Sequence, residues 1–147
     1  MNGDRTDKEK LDDAIESLND LLDRLRPPPS VLVVEDDDND WAILQRSLKQ
    51  FRCAVTRVED GEKAVNAIKT GKFDIILLDQ KLPKMAGEQV LAETTGMRGN
   101  AKVLLVTGYP SSPQASKVLA EGAILTIPKP VQDSALSIFL KPYAQHQ

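Results

Sequence analysis

Phe73-Asp74-Ile75-Ile76-Leu77-Leu78-Asp79-Gln80-Lys81-Leu82-Pro83 is the stretch on which the reading of this chain turns. An unbroken apolar run from Ile75 to Leu78 stops at a carboxylate, Asp79, and Pro83 follows shortly after. A short run rich in branched residues and ended by a breaker fits a strand buried on both faces, as in the middle of a parallel sheet. A carboxylate where such a strand ends sits at the carboxyl edge of the sheet, where open α/β folds place their ligands. Alone, Asp79 reads equally well as a residue that opens a turn or caps the next helix, so its neighbours must decide its role.

Working outward, the same alternation of strand and helix repeats on both sides. Val31 to Val34 is a β-branched run, and Trp41, Leu44, Leu48 and Phe51 then fall at helical spacing. Cys53 to Val58 alternates apolar and polar as a strand does, and Gly61 to Lys69 carries Ala64, Val65 and Ile68 on one helical stripe. After the central strand, a short helix is expected over Gly87 to Glu93, a strand over Val103 to Val106 and a helix over Gln114 to Glu121, with Ala115, Val118 and Leu119 inward. Ala123 to Ile127 reads as the last strand and Gln132 to Leu140 as the last helix. Strands interleaved with helices imply an α/β fold: a five-stranded parallel sheet, doubly wound, with helices on both faces and right-handed crossovers.

Before this domain, residues 6 to 26 read as a helix. Thr6 and Glu9 have the spacing of a capping box. Leu11, Ile15, Leu18, Leu22 and Leu25 recur at alternating steps of four and three, a heptad seam between charged residues. An isolated helix of this length is marginal in water unless its stripe is covered, so these five residues are expected either to pair with a second copy as a homodimer or to fold back onto the chain's own domain. Pro27-Pro28-Pro29 ends the helix, since proline lacks the amide donor and forces its predecessor out of the helical region. The organisation expected is therefore residues 1–29, an amphipathic, coiled-coil-like helix with its proline linker, and residues 30–147, the α/β domain.

The composition narrows the function classes. A net charge of −3 offers no electrostatic reason for nucleic-acid binding. No apolar stretch approaches the roughly 20 residues of a membrane span, and the charged N-terminus does not resemble a signal peptide. Cys53 is the single cysteine, read as a small buried core residue, and a cytoplasmic location is expected. His146 is the single histidine and lies at the very end, read as a solvated tail residue. A histidine-based triad or multi-histidine metal site is thereby excluded.

In a parallel sheet, the residues just past each strand are neighbours in space. They are Glu35, Asp36, Asp37 and Asp38 after the first strand, Asp79 after the third, Thr107 after the fourth and Lys129 after the fifth. Converging carboxylates repel one another, and a hard divalent cation with oxygen ligands answers that repulsion; Mg²⁺ suits a site of few carboxylates, waters and a substrate phosphate. Lys129 supplies a compact cation and Thr107 a hydroxyl donor. A nucleophile, a metal, a cation and a donor are the parts phosphoryl transfer needs, with Asp79 becoming an aspartyl phosphate. A phosphatase with an aspartyl nucleophile wants a second carboxylate two residues on, where Lys81 stands. A nucleotide-binding domain wants a glycine-rich loop after the first strand, where an acidic run stands.

Five segments, in this order and spacing, make the chain from about residue 30 to 145 resemble the receiver domain of two-component response regulators. They are the acidic pair after VLVV, FDIILLD, LPKMAG, LLVTG and IPKP. The resemblance implies a flavodoxin-like receiver fold and a phosphoacceptor switch that modifies only itself. It implies that Asp79 is the phosphoacceptor, that Glu35 and Asp36 with Asp79 and the backbone carbonyl of Lys81 hold Mg²⁺, and that Thr107 is the switch hydroxyl. It further implies that Lys129 binds the phosphoryl group, with a cis bond to Pro130. Asp37 and Asp38 match no family ligand and read as loop and cap residues of the next helix.

The implied partner is a histidine kinase or histidine phosphotransfer protein. Output then runs through protein contact at the face of the last two helices and the fifth strand, or through rearrangement of a dimer. A phosphorylation-independent interaction module of the same fold is the competing expectation. The chain also departs from the family. Where an aromatic residue is common on the fifth strand, Thr126 stands, and Ala86 stands where an acidic residue often precedes the glycine. Lys81 and Tyr109 are bulky and flank the site, which implies that they restrict the water that would hydrolyse an acyl phosphate.

Overall fold

In the computed structural model, which describes residues 5–142, the stretch Ile75–Asp79 forms the central strand. The strands are Ser30–Val34 (β1), Ala54–Val58 (β2), Ile75–Asp79 (β3), Lys102–Thr107 (β4) and Leu125–Pro128 (β5). All pair in parallel, in the order β2-β1-β3-β4-β5. The helices are Asp7–Leu25 (α1), Asp38–Leu48 (α2), Gly61–Thr70 (α3), Gly87–Glu93 (α4), Pro113–Ala120 (α5) and Asp133–Leu140 (α6). The sheet is doubly wound, and the expected α/β class is the observed one.

Every residue of β3 is buried, because strand geometry sends successive side chains to opposite faces and both faces are covered. Ile76 and Leu78 join Leu32, Val34, Leu105 and Val103 under α3, α4 and α5, with Val65, Ile68, Val90, Leu91 and Val118. Ile75 and Leu77 join Val31, Val33, Leu104 and Val106 under α2 and α6, with Leu44, Leu48, Leu136 and Leu140. Asp74 ties the start of the sheet, accepting the Ser30 N–H on Oδ2 at 2.8 Å.

The register fixes the functional edge. Val34 lies opposite Leu78, so Glu35 and Asp79 leave neighbouring strands at the same level. Asp79 lies opposite Val106, and Thr107 opposite Pro128. Strand order reverses between β1 and β3, and such a switch point opens a crevice at the carboxyl ends.

Carboxylates start two of the helices, Asp37 in the cap role expected of it and Asp60 in one found only in the structure. Asp37 caps α2 by accepting the Asp40 N–H at 2.9 Å, and Asp60 caps α3 by accepting the Lys63 N–H at 2.8 Å. Three expectations change. The alternation over β2 does not bury a face, because β2 is an edge strand, and Val55 is exposed. Leu119, expected inward, is exposed; α5 turns Ala115 and Val118 to the sheet instead. Cys53 is half-buried, with Sγ 3.7 Å from the Leu48 carbonyl oxygen, and burial pushes its thiol pKa up. The Lys129–Pro130 bond is cis. His146 lies outside the described residues.

The chain divides into two compact units between Pro27 and Pro28. In the first, Thr6 caps α1, its Oγ1 accepting the Glu9 N–H at 3.1 Å. Leu11, Ile15, Leu18, Leu22 and Leu25 are all exposed along it, and Leu21 widens the stripe. Among the described residues, no helix is long and apolar enough to cross a membrane.

Candidate functional site

The edge of the sheet delivers the acidic residues together. Carboxylate oxygens of Glu35, Asp36 and Asp79 lie within 4.8 Å of one another. Glu35 continues β1, its N–H bonded to the Val58 carbonyl at 3.0 Å and its carbonyl accepting Arg57 Nε at 3.1 Å. Its backbone is thus held from the β2 side, and its carboxylate is carried into the interior, 4% exposed. Asp79 is also buried, whereas Asp36 is exposed at the mouth.

Lys129 closes the cluster. Its Nζ lies 3.2 Å from Asp79 Oδ1, 3.2 Å from Glu35 Oε1 and 2.9 Å from Asp40 Oδ2. The backbone aims it, since the Lys129 N–H donates to the Thr107 carbonyl at 2.9 Å. Burial pulls the lysine's pKa down, but the Asp40 hydrogen bond and the charges of Asp79 and Glu35 outweigh that and raise it. The same contact with Lys129 lowers the pKa of Asp40. Glu35 goes the other way. Burial first, then the adjacent Asp79 carboxylate, push its pKa up to about 9 against the attraction of Lys129.

One ammonium does not settle so many carboxylates. Glu35 Oε2 is buried and lacks a hydrogen-bond partner, a costly condition unless a proton or a cation reaches it. An orphaned oxygen inside a cluster of hard oxygen donors is what a divalent cation of the Mg²⁺ type satisfies, so the donor set fits such an ion.

Thr107 stands at the end of β4, 2% exposed. Its hydroxyl donates to Gln80 Oε1 and accepts the Tyr109 N–H at 2.9 Å. Gln80 in turn donates Nε2 to Ser112 Oγ at 3.1 Å. Lys81 Nζ lies 5.2 Å from the centre of the Tyr109 ring, a cation–π contact beside the cleft.

Of the side chains expected at the edge, Glu35, Asp36, Asp79 and Lys129 converge, and Thr107 ends the next strand. Asp38 turns away to Arg57, 2.9 Å from its guanidinium, which also lies over the Trp41 ring. Sequence reading missed Asp40 and Gln80. The available signal for Asp40 was its place one helical turn after Asp36, on a helix that starts at the same edge. For Gln80 it was adjacency to Asp79, which puts it on the opposite side of the strand.

A doubly wound domain with a buried, lysine-clamped aspartate in an acidic cleft at its switch point belongs among phosphoryl-accepting signalling domains. The sequence model of the family described as response regulator receiver domain matches residues 31–141. The chain belongs to that family, whose standard role is a phosphoacceptor switch in two-component phosphorelays. The transcriptional regulatory protein ZraR of Klebsiella oxytoca is 29% identical over 116 residues, covering 79% of this chain and 26% of the relative. The chain thus spans about a quarter of that relative's length. Among solved structures, a CheY-like response regulator receiver domain from Methanospirillum hungatei superposes with a TM-score of 0.70 at 28% identity, covering 78% of this chain and 92% of that one. The receiver domain of sensor histidine kinase PA1611 from Pseudomonas aeruginosa, solved with magnesium coordinated in its active-site cleft, shares the fold with a TM-score of 0.71 at 23% identity, covering 81% and 99%.

Proposed function

We propose that Asp79 accepts a phosphoryl group from a phosphohistidine on a histidine kinase or histidine phosphotransfer protein. The observation that carries this is the Asp79 carboxylate, buried and 3.2 Å from Lys129, within a cluster of oxygen donors formed with Glu35 and Asp36. In the transfer, a carboxylate oxygen of Asp79 forms the O–P bond as the P–N bond to the histidine breaks, and the imidazole leaves with the electron pair and takes up a proton. Lys129 balances the charge of the incoming group, and Thr107 offers it a hydroxyl donor. Glu35, Asp36, Asp79 and the Lys81 carbonyl would hold Mg²⁺, which would supply charge neutralisation for the phosphoryl oxygens. Asp79 carries the group as an acyl phosphate until water attacks it, and Lys81 and Tyr109 screen that water.

The output is conformational. An added phosphoryl group draws Lys129 and Thr107 toward it and reshapes the face of α5, β5 and α6. Residues 30–147 form the receiver and residues 1–29 a helical segment that pairs with a second copy through Leu11, Ile15, Leu18, Leu22 and Leu25. The setting is cytoplasmic, and the contacts are with protein rather than nucleic acid or membrane.

Acetyl phosphate with Mg²⁺, read by intact mass, tests the acceptor. The wild type gains one phosphoryl group, while Asp79→Asn and wild type in EDTA gain none. Absence of labelling in the wild type would favour an interaction module that works without phosphorylation.

A further inference from the structure

The resting hydroxyl of Thr107 is already committed. It has one proton, and that proton is donated to Gln80 Oε1. The other end of the same amide donates to Ser112 Oγ at 3.1 Å. Ser112 Oγ is the N-cap of α5, accepting the Ala115 N–H at 3.2 Å. An unbroken hydrogen-bonded chain therefore runs from the end of β4 to the first turn of α5. Beside it lies a cleft of about 370 Å³ bordered by Gln80, Tyr109, Ser112 and Gln114. Gln80 thus borders open space on that side. Position 126, on the neighbouring strand, holds a threonine that is too small to swing as an aromatic lever.

We infer that Gln80 is a positioning residue that latches the Thr107 hydroxyl in the resting state and passes its release to α5 through Ser112. The inference rests on the phosphoacceptor reading of Asp79 and Thr107. A hydroxyl with one proton cannot donate to Gln80 and to a phosphoryl oxygen together. Thr107 must therefore drop Gln80 to engage the phosphoryl group. Gln80 Oε1 then loses its donor, the amide turns into the cleft, and Ser112 loses the N–H that holds it beside the helix end. The first turn of α5 thus receives the signal through a side-chain amide rather than through a rotating ring.

The test is a titration of beryllium fluoride, a phosphoryl mimic, with Mg²⁺ present, read by calorimetry. Gln80→Leu and Gln80→Met fill the same space but cannot accept the hydroxyl. Each is expected to tighten binding by about three- to tenfold, the scale of one competing hydrogen bond. In a Thr107→Val background, Gln80→Leu is expected to change affinity by less than about twofold, because the bond it acts through is gone. A purely structural role for Gln80 would persist in that background, and persistence overturns the inference, as does an unchanged or weakened affinity in both single variants. A second measurement needs no variant. On adding the mimic to wild type, the Gln80 side-chain amide resonances are expected to shift and exchange faster with solvent; fixed resonances overturn the latch. Binding without any response at Gln80 removes this inference alone. Failure of the wild type to bind the mimic removes the phosphoacceptor reading, and the latch with it.

Discussion

Glu35 sits where burial and charge oppose each other. Its carboxyl titrates near 9, chiefly because it is buried and secondly because Asp79 is beside it. The unfolded value is near 4.5, so between the two the folded state holds the extra proton. Folded stability is then fully present below the unfolded value and is lost as pH rises through the folded one. In EDTA, the melting temperature is expected to fall as pH rises from about 5.5 to about 8.5, and Glu35→Gln, which cannot titrate, should flatten that slope. An identical slope in the variant would assign the effect to other groups. Added Mg²⁺ should stabilise more at the alkaline end, because its ligands bind deprotonated.

Lys81 and Tyr109 belong to the same scale. Their cation–π contact spans the side of the cleft. Replacing both with small residues, Lys81→Ser with Tyr109→Ala, opens a path for water to the acyl phosphate. The phosphorylated form should decay several-fold faster, followed by loss of the phosphoryl mass with time. An unchanged decay would show that water reaches Asp79 by another route.

At the scale of elements, Gly61 marks a close crossing. It opens α3, and a Cβ built there would stand 2.5 Å from Met85 Cβ and 2.8 Å from the Met85 carbonyl oxygen. Gly61→Ala must push the loop after β3 away from α3, with an overpacking cost of about 1–3 kcal/mol. A lower urea midpoint with unchanged slope is expected, while Gly108→Ala, which meets nothing within 4 Å, should be nearly neutral. Equal midpoints for the two variants would mean that the loop yields freely.

The elements were legible because their apolar runs are short, bounded and periodic. Ile75 to Leu78 alone announces a strand buried on both faces, and the two halves of the core then follow from its alternation. Glu35, Asp36, Asp79, Thr107 and Lys129 were legible because parallel topology puts all strand ends at one edge. Asp40 and Gln80 were not. Asp40 matters through a lysine 89 positions away, and Gln80 through a threonine 27 positions away. Their places, one turn after Asp36 and next to Asp79, hint at the edge but do not reveal the distant partner that gives each its role. The exposure of β2 escaped for a related reason: alternation marks a strand, but only sheet order tells that it lies at the edge.

For the molecule as a whole, the proposed pairing through α1 rests on the exposure and phase of its seam. Leu11, Ile15, Leu18, Leu22 and Leu25 are between 49% and 71% exposed, and a helix of 19 residues is marginal in water with such a stripe uncovered. The phase of the repeat puts Leu11, Leu18 and Leu25 at one core position and Ile15 and Leu22 at the other. Ile15 at the second position with leucine at the first suits two strands rather than more in a parallel arrangement. The flanking positions oppose it, because Asp7 of one helix would face Asp12 of its partner across such a pair. A short seam with like charges at its edge makes a weak dimer that salt strengthens by screening the repulsion. Sedimentation should show a monomer–dimer equilibrium with more dimer at about 0.5 M than at about 0.05 M NaCl, the two differing several-fold in Debye length. Leu18→Glu places a charge at the middle of the seam and should leave a monomer at both. Association that survives Leu18→Glu would move the contact off α1, and association that weakens with salt would mean that opposite charges, not the leucine seam, hold the pair together.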